Sequence, residues 1–163
     1  MKNNFYKNSN KGFSLVEVVV ASAIISIITF SIVSAASKGL ALSQRALHQT
    51  QASYILEEGA EAVKTIRDAS WTNISALTIG TTYYLAYNNT TNTWSLSTSA
   101  NTIDSFFTRK VQLSEVNRDA NDDIASTGTV DTRTKKVDVN VSWLSSGTTV
   151  SKTLSFYITD IFS

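Results

Sequence analysis

Five groups of side chains in the 163-residue chain have types or spacings that could do chemistry. Glu17 is the one charged residue in the 25 residues from 13 to 37, FSLVEVVVASAIISIITFSIVSAAS. An acid at membrane depth costs roughly 2.5–3.5 kcal/mol on insertion scales, so it signals function by default, although one turn into the run it also reaches the headgroups. Asp119, Asn121 and Asp123 alternate like positions 1, 3 and 5 of a calcium loop, but Ile124 stands where glycine is needed and Val130 where the bidentate Glu belongs. Arg133, Lys135 and Lys136, with Arg109 and Lys110 alongside in a sheet, form the densest basic patch. Phosphate neutralisation there would give salt-dependent DNA binding, while the lack of interleaved aromatics suits a charged strand end equally. His48 has no second histidine or Ser-Asp pair near it in sequence and reads as a surface residue. Asn73-Ile74-Ser75, Asn89-Thr90-Thr91 and Asn140-Val141-Ser142 fit the N-glycosylation pattern, which a chain rich in Ser, Thr and Asn produces by chance.

Catalysis is poorly supplied. There is no cysteine, so no disulfide, thiolate metal site or cysteine nucleophile, and the six glycines are too scattered for a phosphate-cradling loop. One histidine cannot furnish a zinc site, and no catalytic residue is expected. The 14 basic and 13 acidic residues give a net charge of +1, which implies no polyelectrolyte partner. Charged residues are only 17% of the chain, against about 25% in an ordinary soluble domain. That deficit is local, an uninterrupted gap from Val18 to Ser37.

The elements that must position these groups follow from periodicity. A helix over residues 13–37 would measure about 37 Å, more than the roughly 30 Å hydrocarbon core. Upstream, Lys2, Lys7 and Lys11 stand without an acid, which places the amino end in the cytoplasm. A cleaved secretory signal needs a shorter apolar run, although Ser34-Ala35-Ala36 offers small residues for such a cut. A plain membrane anchor fits the length and leaves Glu17 unexplained. Beyond Lys38 and Gly39 the pattern becomes amphipathic over 38–70. Ala52, Ile55, Gly59, Ala62, Ile66 and Ala69 recur at helical spacing, opposite Glu57, Glu61, Lys64 and Asp68. Without proline, one helix from 14 to 70 is the simplest account. Residues 71–163 read as strands at 81–88, 93–98, 106–115, 136–144 and 150–158, with turns at 89–92 and 145–147. Strict alternation puts Val137, Val139, Val141 and Trp143 on one face. The expected fold is α+β: a long amino-terminal helix whose second half packs on a four- or five-stranded antiparallel sheet.

Lys11-Gly12-Phe13-Ser14-Leu15-Val16-Glu17, with the apolar helix to about residue 40, resembles the amino-terminal signature of type IV pilins and type II secretion pseudopilins. The resemblance implies a basic leader, residues 1–12, that is cut after Gly12 on the cytoplasmic side by a prepilin peptidase/methyltransferase, leaving Phe13 as an N-methylated terminus. It implies a ladle-shaped subunit, held in membrane lipid through residues 13–37 and then joined to other pilin subunits by a membrane-embedded assembly platform. The polymer, homo- or heteromeric, would be extracellular or periplasmic. In it, Glu17 of one subunit would meet the Phe13 amine of a neighbour. The cut creates that amine, with a reference pKa near 8, and methylation keeps its charge. Some pseudopilins bind calcium in the region of Asp119–Asp123, and some pili take up DNA. Many pilins carry a carboxy-terminal disulfide loop, which a cysteine-free chain cannot form. A membrane-anchored adhesion or binding module that never polymerises is the competing expectation.

Overall fold

The computed structural model describes residues 12–161; the leader lysines Lys2, Lys7 and Lys11 lie outside them. Two compact units are present, one ending at Gln44 and the other beginning at Arg45. Helix α1, Leu15–Ala69, is 55 residues long and carries no proline that would break its hydrogen-bond ladder. Gly39 lies within it without interrupting it.

Among the described residues of the first unit, nothing packs against the helix. Its most apolar 18-residue window has a mean hydropathy of 2.4 and no buried residue, and by length and composition it is sufficient to cross a membrane. Several hydroxyls in this stretch are satisfied within the helix. Ser26 donates to the Ser22 carbonyl (2.8 Å), Thr29 to Ile25 (2.8 Å) and Ser31 to Ile27 (2.8 Å). Such back-bonding removes the penalty a free hydroxyl would meet in hydrocarbon.

The second unit contains the rest of α1, the single turn α2 (Thr72–Ser75) and six strands. These are β1 (Thr82–Asn88), β2 (Thr93–Ser97), β3 (Thr108–Arg118), β4 (Ile124–Ala125), β5 (Thr129–Ser145) and β6 (Thr148–Thr159). The order is β2-β1-β3-β5-β6, with β4 added on β3, and every pairing is antiparallel. Six strands replace the expected four or five because β4, two residues long, is too short to leave a periodic signal.

Alternation works as the sequence requires. Val137, Val139 and Val141 are wholly buried and Trp143 nearly so, against Ala52, Leu56, Val63 and Ile66 of α1. Burying a Val or Leu side chain contributes about 1.5–3 kcal/mol, so this stripe dominates cohesion. Ala69 departs from the expected helix face and is exposed at the helix end. A register shift between Glu115 and Val116 is a β-bulge, and it returns Val116 to the buried face after Val111 and Leu113. Ser146 (φ 51°) and Gly147 (φ 79°) make the two-residue turn joining β5 to β6, where both central residues need positive φ.

Candidate functional site

Helix α1 starts at the residues that the sequence singled out. Gly12, Phe13 and Ser14 precede it in irregular backbone and are exposed, and a Cβ built on Gly12 meets nothing within 4 Å. Among the described residues, nothing covers the Gly12–Phe13 peptide bond. The first helical bond runs from the Val18 N–H to the Ser14 carbonyl (3.2 Å). Glu17 occupies the first turn, where the free N–H groups and the helix dipole favour a carboxylate by about 0.3–1 kcal/mol. Ser14 and Glu17 have the spacing of a capping box, yet no side-chain bond joins them among the described residues. Among the described residues the Glu17 carboxylate is exposed and has no hydrogen-bond or ion-pair partner. Around it Phe13 and Leu15 are each 81% exposed, and Val16, Val18, Val19 and Val20 are more than half exposed. Among the described residues this is an acid without a partner in uncovered apolar surface, a geometry suited to contact with lipid or with other helices.

The prokaryotic N-terminal methylation motif matches residues 7–35. The chain carries the signature of type IV pilins and pseudopilins. Gly12, Phe13 and Glu17 all fall inside the matched segment, which covers the exposed apolar turns of α1. Neither a curated protein nor a solved structure matches the chain. The motif belongs to proteins that are structural rather than enzymatic.

The other candidates disperse. Asp119, Asn121 and Asp123 fold into a self-contained turn between β3 and β4. There Asp119 Oδ1 accepts from the backbone N–H groups of Asn121 (2.8 Å) and Asp123 (3.0 Å). The carboxylate that would open a calcium loop is committed to backbone donors, and no cluster of three or more acidic or histidine side chains is poised for a metal among the described residues.

The basic patch does not assemble as expected. Arg109 and Lys110 take opposite faces of β3: Lys110 is exposed and Arg109 is buried against α1. Arg109 Nη1 lies 2.6 Å from Glu58 Oε2 and donates to the Ile55 carbonyl (3.2 Å), and its guanidinium sits 5.4 Å from the Trp94 ring. Its place in the alternation Phe107, Arg109, Val111, Leu113 was the signal for this burial. Lys135 is also buried, while Lys136 lies 3.5 Å from Asp138. His48 is half-buried rather than on the surface, its ring 4.6 Å from Phe106 and 6.3 Å from Phe107. Lys152 was missed by sequence reasoning. It donates to the Gln49 carbonyl (3.2 Å) and the Ser53 hydroxyl (3.0 Å), fastening β6 to α1.

Arg118 and Asp131 make the tightest pair of the sheet end, at 2.6 Å. The Arg118 guanidinium holds the Asp131 carboxyl below the usual 3.8, at about 2, helped by the Thr134 hydroxyl and the Arg133 backbone N–H. The same bond raises Arg118. A depressed carboxyl adds stability that is complete above its unfolded value and disappears as it protonates. Thermal melts of the detergent-solubilised chain are therefore expected to fall between pH 4 and pH 2. Asp131→Asn should start lower at neutral pH and flatten that acid limb. An unchanged limb in the variant assigns the acid loss to other carboxylates.

Proposed function

We propose that this chain is a prepilin, the precursor of a structural subunit of a type IV pilus or a related pseudopilus. It enters the cytoplasmic membrane through α1 with its amino end in the cytoplasm. A prepilin peptidase/methyltransferase cuts after Gly12 and methylates Phe13. Loss of Lys2, Lys7 and Lys11 leaves 11 basic against 13 acidic side chains. An assembly platform then moves the subunit from lipid into a polymer with other pilin subunits, where its apolar helix exchanges lipid contact for helix contact. Ala21, Ser22, Ala23, Ser26, Ser31 and Ser34 are small enough to let helices approach closely. Phe13 and Glu17 set the register, because a desolvated ion pair specifies position more than it adds stability.

The observation that carries this reading is the coincidence of the methylation motif with an unburied apolar helix whose first turn holds an exposed acid. Mass spectrometry of the chain from membranes and sheared surface fractions of its own cells is the test. The expected chain begins at N-methylated Phe13 and is found in both fractions. A chain beginning at Met1 and confined to membranes overturns the proposal and identifies a non-polymerising anchored module.

A further inference from the structure

We propose that Asn89, at the tip of the β1–β2 hairpin, is an N-glycosylation site. Four Asn-x-Ser/Thr triplets occur in the sequence, at Asn73, Asn88, Asn89 and Asn140, and the fold separates them. Asn73 lies in α2, where its Nδ2 donates to the Ile66 carbonyl (3.3 Å) and the next residue, Ile74, is wholly buried. Asn140 is in the interior of β5, its Nδ2 held by Thr153 (2.9 Å) and its neighbour Val141 wholly buried. Neither triplet can enter a transferase without unfolding its element.

The hairpin tip differs. Residues 87–93 are all exposed, and 89–92 form the turn, closed by Asn92 at φ 52°. Asn88 is occupied in holding this turn, its Oδ1 accepting from the backbone N–H groups of Thr90 (2.9 Å) and Thr91 (3.3 Å). Asn89 has no side-chain partner among the described residues, and Thr91 supplies the hydroxyl two residues on. In the step, Asn89 Nδ2 bonds to C1 of the first sugar of a lipid-linked oligosaccharide diphosphate. The C1–O bond to the diphosphate breaks, the lipid diphosphate leaves, and the amide proton passes to a base of the transferase. The site rests on the proposed function only in placing the second unit outside the cytoplasmic membrane.

Tryptic mapping of the protein from its own cells tests it, because cleavage after Arg67 and Arg109 isolates residues 68–109 from the peptide holding Asn140. Glycan mass is expected on the 68–109 peptide, localised to Asn89 by fragmentation. It should vanish in Asn89→Gln and Thr91→Ala, and persist in Thr91→Ser and in Asn88→Asp, which keeps the turn acceptor. An unmodified 68–109 peptide, or glycan on Asn73 or Asn140 instead, overturns the assignment. The amino terminus in the same spectra reports separately on processing at Gly12.

Discussion

Replacement of Glu17 by valine is expected to leave the chain at its normal level in membranes and to lower its yield in sheared filaments by roughly a hundredfold or more. The two halves of this result have separate causes. Insertion depends on transfer of α1 into hydrocarbon, and removing an acid that costs roughly 2.5–3.5 kcal/mol at membrane depth cannot weaken it. Assembly depends on what becomes of the Phe13 amine. In the proposed precursor, before the cut, that nitrogen is an amide, and no cation lies against Glu17 among the described residues. Afterwards, packing the apolar helices together desolvates the new ammonium, and without Glu17 it is buried uncompensated, at a cost of about 3 kcal/mol or more. That cost corresponds to roughly two powers of ten in each subunit's addition. Glu17→Gln separates this role from helix capping, since a Ser-x-x-Gln sequence keeps the capping-box pattern and loses only the charge. Filaments at normal yield from Glu17→Gln would make residue 17 a cap. Normal yield from Glu17→Val would remove the ion pair from the account altogether.

What could be read from the sequence was what repeats. The 55-residue helix needed an apolar run, an amphipathic continuation and the absence of proline, and its observed bounds, Leu15–Ala69, lie within a residue of those expected. The strand 136–144 was equally legible, because Val137 to Trp143 alternate without a break. Legibility failed where periodicity did. The third strand was expected to stop at 115 because the bulge at Glu115/Val116 inverts the alternation, yet β3 continues to Arg118. The first residues of β5, Thr129–Arg133, hold a single valine among polar residues and carried no strand signal, although Thr129–Asp131 pair with the end of β3. At the candidate site, the methylation motif over residues 7–35 was legible because Gly12, Phe13 and Glu17 stand at its fixed spacing. Arg109 was misplaced because charge was given more weight than its position in the strand.

That misplaced arginine explains a glycine, and substitution there is expected to give the largest stability loss in the sheet unit. Gly59 faces β3 and β5 from α1, and a Cβ at this position would lie 2.9 Å from both Arg109 Cδ and Val139 Cγ1. A helical glycine costs about 1 kcal/mol relative to alanine, so its presence here is a concession to packing. Gly59→Leu must push Arg109 out of the space it occupies between Glu58, Ile55 and Trp94. Overpacking of this kind costs typically about 1–3 kcal/mol, and Arg109 Nε already lacks a partner, so displacement cannot be recovered by a better bond in place. The expected loss is about 3 kcal/mol, or roughly 10 °C in Tm. Gly59→Ala should lose less, because one added carbon asks for a smaller shift of Arg109 and Val139 while the helix gains propensity. The decisive variant is the double substitution Gly59→Leu with Arg109→Ala. If the clash is with the arginine stem, removing the stem makes room for leucine, and the pair should be more stable than the sum of the single losses by about 1 kcal/mol or more. Additive losses would place the clash on Val139 and the backbone of β5 instead. A Gly59→Leu chain melting within about 2 °C of the parent, about half a kcal/mol, would mean that this contact does not set the distance between helix and sheet.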